Sequence, residues 1–301
     1  MMRLTVAAAL ACLLTAALCF AQETQTRRED AIEAAARGAD RTWSALEEGR
    51  ADLGVRQLFS AALAYCEAGR DLDRLDALFD AAAAMQDRDP ASFSYGNFRW
   101  RMSEDTVRDF NAVEFCMSSA VPMWLRHRDS LSDEARARLR AILDHAVEGC
   151  LRHRVPPAYT NITLMNAGNL ILLGEALGRP HVAAEGRARL DTFCLYTWEA
   201  GVHEFVSPTY YGVDLDALLL LHEFTTEAAV REQADALAGL LWRDVALNWF
   251  APVRRLAGAH SRSYDYLRAR GGAEAHLWMA GWFDEPRTPP RYAFVGVHVL
   301  P

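Results

Sequence analysis

The sequence contains no lysine. All 32 of its Lys-or-Arg positions are arginine. This excludes a Schiff-base lysine, a Ser-x-x-Lys nucleophile pair and a phosphate-loop lysine together. It also lacks Cys-x-x-Cys and His-Glu-x-x-His spacings. His203-Glu204 and His222-Glu223 each stand without the second histidine, so nothing calls for a zinc or another metal. Positive charge is short overall: the net charge is -8, which argues against a nucleic-acid partner. Beyond the first 21 residues there is no apolar run long enough to cross a bilayer.

What remains is an ordinary globular balance, 51% hydrophobic and 24% charged over 301 residues. The N-terminus has a short basic start at Arg3, an apolar core and a Cys19-Phe20-Ala21 boundary. That pattern predicts a signal peptide over residues 1–21, a mature N-terminus at Gln22, and a periplasmic or secreted protein free of the membrane once processed. Cys66, Cys116, Cys150 and Cys194 stay in the mature chain. Four cysteines allow three pairings, but all four fall inside helical patterns, and buried free thiols are the preferred reading.

Helical periodicity dominates. Residues 134–151 place Leu139, Ile142, Leu143, Ala146, Val147 and Cys150 on one stripe, with arginines and acids opposite. Residues 162–177, by contrast, are apolar nearly all round, and residues 213–224 are similar. Buried helices are expected to start near residues 57, 109, 162, 213 and 265, about every 52 residues, each preceded by an amphipathic helix. The expected fold is therefore all-α: an (α/α) toroid of about five helical hairpins over residues 22–285, buried helices inside. The alternating Val295, Val297 and Val299 suggest that residues 286–301 open a β-rich segment that is cut short.

In such a ring every outer-to-inner connection lies on one rim. These connections are 87–108, 153–161, 199–212 and 250–264, and they are long, aromatic and irregular, as loops that carry sites tend to be. They supply Asn97, Arg99 and Trp100, then Tyr159 and Asn161, then His203, Glu204, Tyr210 and Tyr211, and finally Arg254, His260, Arg262 and Tyr264. Asn, His, Tyr and Arg beside aromatic rings suit β-elimination in an acidic polysaccharide or oligosaccharide. Amides and guanidinium groups would neutralise the uronate carboxylate, a Tyr or His would take the adjacent proton, and a Tyr would protonate the leaving oxygen. No cofactor is needed. Asn97, Arg99, Trp100, Tyr159, Arg254, Arg262 and Tyr264 are the candidate substrate-binding residues. Plainer roles stand beside these: Asn161 as a helix N-cap, Tyr210 and Tyr211 as rim packing.

Two other readings compete. Inverting hydrolysis would use Glu204 as acid and one of Asp105, Asp109, Glu114, Asp214 or Asp265 as base. A glycan-binding protein without turnover would need neither. The chain also resembles a known family. Asn161, His203, Tyr210 and the HSRSY stretch at 260–264, set on helical hairpins, resemble the α/α-toroid polysaccharide lyases, including the heparinase II/III-like group. NLILLGEALGRP followed by GVHEFVSPTYYGVD is similar to exported bacterial members of that wider set. The resemblance implies that Asn161 neutralises the carboxylate with Arg262 nearby. His203 and Tyr210 (or Tyr211) would act as base and acid, and His260 is a competing base. Those lyases usually carry a β-sandwich after the toroid, where this chain has one strand-like segment.

Overall fold

The computed structural model describes residues 2–264 and 273–284, with side chains from residue 22 onward. The expected β-rich segment 286–301 and the candidate base Asp265 lie outside the described residues. The fold is all-α. Outer helices α1 (Met2–Glu47), α3 (Leu75–Ala84), α5 (Asp133–Arg152), α7 (Pro180–Ala200) and α9 (Ala228–Asn248) alternate with inner helices α2 (Val55–Ala68), α4 (Ala112–His127), α6 (Thr160–Ala176), α8 (Tyr211–Phe224) and α10 (Ala273–Met279). Each inner helix packs on the next, α2 on α4 on α6 on α8 on α10, and the outer helices cover them. The ring closes where α10 meets α1 and the Arg27 guanidinium donates to the Trp278 carbonyl.

Local sequence explains the elements. α5 starts at Ser132, whose hydroxyl accepts the Ala135 N–H, and carries Asp133 and Glu134 in its first turn. Its buried stripe runs through Leu139, Ile142, Leu143, Ala146, Val147 and Cys150, as the periodicity predicts. α6 is buried from Thr160 to Gly174, which an apolar circumference demands. Cys66, Cys116, Cys150 and Cys194 are free thiols. A short antiparallel pair, β1 (Trp249–Phe250) with β2 (Arg255–Leu256), folds inside the last rim loop.

Helices α6 and α7 approach each other closely through glycines. A Cβ on Gly174 would lie 2.3 Å from the Ala183 backbone nitrogen, and one on Gly186 would lie 2.7 Å from that of Ile171. Neither neighbour is a movable side-chain tip. Gly174→Ala should therefore separate the two helices and cost about 1–3 kcal/mol, since overpacking forces backbone shifts. A thermal melt should show the midpoint falling by several degrees; an unchanged midpoint would mean the pair tolerates a wider spacing.

The connections sort as a ring requires. Those from inner to outer helices are short: 69–74, 128–132, 177–179 and 225–227. Those from outer to inner helices gather on one rim. Residues 48–54 join them there, since Gly54 pairs with Arg101 and Met102 N–H donates to the Leu53 carbonyl. On the first of these loops Asn97 is buried. Its Oδ1 accepts the N–H groups of Phe98 and Val113, and its amide donates to the Phe110 carbonyl, so it braces the start of α4. This corrects the expectation of Asn97 as a substrate contact. The buried Asn166 and Asn169 brace α4 as well, through the Glu114 side chain and carbonyl.

Candidate active site

The second, third and fourth rim loops converge on Arg262. Its Nη1 lies 3.1 Å from Glu204 Oε1. Its Nη2 donates to the hydroxyls of Tyr264 at 2.8 Å and Tyr210 at 3.3 Å. The guanidinium also sits over the rings of Tyr159 and Tyr210, each 4.9 Å from the centroid. One cation thus ties Tyr159 on the loop before α6, Glu204 and Tyr210 on the loop before α8, and Tyr264 on the last loop. Ser261 N–H donating to the Phe205 carbonyl adds a backbone tie between the last two.

Glu204 fixes the third loop to α6. Its carboxylate is 2% exposed, and its Oε2 accepts the Asn161 N–H at 2.9 Å. Asn161 is the second residue of α6, so the carboxylate supplies the anion that a helix N-terminus attracts. The N-cap expected from Asn161 itself is therefore provided by another loop. Burial pushes the Glu204 carboxyl up, against the pull of the Asn161 N–H and Arg262. The loop is strained at the same place. Val206 has φ 46°, a left-handed conformation that a β-branched residue rarely adopts, and Arg262, facing it from the last loop, has φ 52°.

The two tyrosines form an opposed pair. Tyr210 donates its hydroxyl to Tyr264 at 3.2 Å, with the rings edge to face. Burial holds the Tyr210 proton on, and its hydrogen bond to Tyr264 adds to that. Tyr264 is 65% exposed and accepts from both Tyr210 and Arg262; those two bonds, Tyr210's first, bring its hydroxyl below the ordinary phenol range. Neighbouring groups with pKa values pushed apart are a general signature of an acid and a base.

Beneath this layer Asp214, in the first turn of α8, is wholly buried, and neither carboxyl oxygen has a partner among the described residues. Burial, then the nearby Glu204 and Asp216 charges, raises its pKa well above the usual carboxylate range. The folded state therefore holds this proton more tightly than the unfolded chain. The stability it contributes is full below an unfolded pKa of about 3.9 and falls as the pH rises above that value. Asp214→Asn should remove that loss. Melting curves at pH 5 and pH 8 should show the variant gaining on the wild type at the higher pH; a variant that loses ground at pH 8 would contradict a neutral Asp214.

Other expected site residues fall elsewhere. Asn161 is 0% exposed, with both side-chain amide atoms unpartnered among the described residues, so it cannot meet a substrate carboxylate directly. Tyr211 is corrected too: it is buried and its hydroxyl donates to Asp244 on α9. His203 is on the right rim but turns outward, its Nδ1 against the Tyr196 hydroxyl on α7. His260 pairs through Nε2 with the Leu256 carbonyl and staples its own loop. Arg99 ties down the first loop through the Ala84 and Glu104 carbonyls. Arg254 lies over Phe283, on the far side of the last loop. Trp100 stays near the mouth, its indole donating to Asp109 and its ring 5.8 Å from Phe115. Tyr159 accepts from the Asn111 amide, a contact that the sequence did not suggest.

Among the carboxylates named for hydrolysis, Asp109 accepts the Trp100 indole N–H and Asp265 lies outside the described residues. Glu204 Oε2 accepts the Asn161 N–H of α6, and its Oε1 faces Arg262. Glu114 is buried against His153 and Asn166, and Asp214 is sealed from water. Among the described residues no three His, Cys, Asp or Glu side chains converge as a metal site would need. No described helix is long and apolar enough to cross a membrane.

Residues 42–298 match the model of a domain family of unknown function, DUF8769. The chain belongs to that family. The match runs from the end of α1 through all four rim loops, so the Arg262 cluster is part of the DUF8769 domain itself. No curated protein and no solved structure matches the chain.

Proposed function

We propose that this protein is an exported polysaccharide lyase that cleaves uronate-containing glycans by β-elimination at the rim of its helical ring. The observation that carries the reading is the Tyr210–Tyr264 pair, joined by a hydrogen bond and shared by one arginine. Tyr264 acts as the phenolate that its two donors favour and takes the proton from the carbon next to the uronate carboxylate. Arg262 holds that carboxylate and the charge that spreads onto it. The carbon–oxygen bond to the next sugar then breaks, its electrons leave on the oxygen, and Tyr210 protonates that oxygen. A double bond remains in the uronate ring. Tyr264 now holds the proton that Tyr210 has lost, and their hydrogen bond returns it, so the cycle closes without water.

Against the roles that the family resemblance implies, the base moves from His203 to Tyr264, and carboxylate binding moves from Asn161 to Arg262. Asn161 becomes a support, its backbone held by Glu204. The test is a panel of acidic polysaccharides followed by the ultraviolet absorbance of unsaturated uronate ends. Absorbance should rise with at least one of them. Reducing ends that appear without absorbance would replace elimination with hydrolysis.

A further inference from the structure

A second constellation lies on the rim beside the Arg262 cluster, outside the proposed elimination chemistry. It starts from a buried charge. Glu114, in the first turn of α4, is 0% exposed. Its Oε1 accepts the Asn166 amide at 2.8 Å and lies 3.1 Å from His153 Nδ1. An ionised carboxylate only accepts, so Nδ1 carries the hydrogen, and in the neutral ring Nε2 is the acceptor. The backbone is fixed as well: Arg189, itself bonded to Asn166 Oδ1, donates to the His153 carbonyl at 3.1 Å. The His153 ring is only part-buried, and its Nε2 has no partner among the described residues.

Aromatic rings continue outward from this histidine. Phe110 lies 6.1 Å from the His153 ring, and Phe93 meets Phe110 edge to face at 5.3 Å. Phe93 is 83% exposed, yet its loop is pinned. Ser92 and Ser94, on either side of it, both donate their hydroxyls to Asp87, and Arg152 donates to the Ser92 carbonyl. With both neighbours turned in, Phe93 stands out. A bare ring on a fixed loop, continuous with two part-buried rings, is an apolar face rather than a scattered surface residue.

This face leads back to Arg262. Phe110 is followed by Asn111, whose amide donates to the Tyr159 hydroxyl, and Arg262 lies over the Tyr159 ring. His153 and Tyr159 also sit near the two ends of one rim loop. Six residues span at most about 20 Å, and the turn that the Tyr159 N–H closes on the Pro156 carbonyl shortens that reach. A glycan of a few sugar units would touch both places.

We propose that Phe93, Phe110 and His153 form a second sugar subsite, which takes a unit flanking the uronate held by Arg262. The two phenyl rings meet the C–H face of a pyranose, and His153 Nε2 accepts one of its hydroxyls. Glu114 is a positioning residue that aims the imidazole. The subsite rests on the elimination reading for its glycan class.

Calorimetric titration tests it apart from turnover, using the full chain carrying Tyr264→Phe and tetrasaccharides of hyaluronan, alginate and polygalacturonate. At least one should bind. Phe93→Ala should weaken that binding about fivefold or more, as loss of an aromatic anchor does. Phe93→Trp should keep it, which a merely structural position would not show. Because Phe93 is exposed, neither change should move the melting midpoint. His153→Gln should also weaken binding; if that variant melts early, the Phe93 pair decides. Binding indifferent to Phe93→Ala, or no binding of any tetrasaccharide, would overturn the subsite. On a responsive polysaccharide, Phe93→Ala should raise KM more than it lowers kcat, since the contact lies away from the reacting bond. Unsaturated product with KM unmoved by Phe93→Ala would refute the subsite and leave elimination standing. Binding that depends on Phe93, with no unsaturated product from any glycan, would keep the subsite and refute the lyase.

Discussion

Replacing Tyr264 with phenylalanine should lower kcat/KM on the responsive polysaccharide by about a hundred- to ten-thousand-fold, the usual worth of a positioned acid or base. Tyr210→Phe should do the same. The double variant should be little worse than either, because the two hydroxyls act as one relay. Both hydroxyls lie in the half-exposed rim cluster rather than the core, so melting temperatures should hardly move. The pH profile carries the assignment further. Activity should rise with pH as Tyr264, below the usual phenol range, loses its proton, and fall where Tyr210 loses its own. Arg262→Gln should push the rising limb to higher pH, because it removes one of the two donors that favour the Tyr264 phenolate. If both single variants retain more than a tenth of wild-type activity, the tyrosines are packing residues and the base lies elsewhere.

Glu204→Ala should be the most destabilising single change at the rim. It strips Arg262 of its carboxylate and leaves the Asn161 N–H at the start of α6 without an acceptor. Breaking a buried ion pair costs about 3–5 kcal/mol; with Arg262 33% exposed, solvent repays part, and about 2–3 kcal/mol is expected. The melting midpoint should drop by roughly 5–10 °C, scaled for a domain of this size. Glu204→Gln keeps an acceptor for the N–H and should lose less stability. Activity under elimination should follow the integrity of the rim. A Glu204→Gln protein that melts as wild type yet has no activity would point instead to Glu204 as the acid of a hydrolase.

The ring was legible in the sequence because its signal is repeated. Five apolar helices at a regular spacing, each paired with a polar-backed one, leave few ways to bury the apolar faces. Buried helices expected at 57, 109, 162 and 213 begin at 55, 112, 160 and 211. The rim loops followed from topology alone. Side-chain direction within them did not, because irregular backbone has no period to read. His203 and Glu204 are adjacent, yet one faces α7 and the other plugs the start of α6. Tyr210 and Tyr211 are adjacent too; only the first faces Arg262, since helix geometry turns the second toward α9. Asn97 and Asn161 read as polar loop residues and prove to be wholly buried supports.

The most direct test of the central claim is to run the reaction in heavy-oxygen water and weigh the products. Elimination breaks the glycosidic bond without adding water, so fresh products should carry no heavy oxygen from the cleavage step. Each new chain should end in an unsaturated uronate that is lighter by one water than its hydrolytic counterpart, and Tyr210→Phe should suppress it. Heavy oxygen built into one saturated product per cleavage would contradict the account.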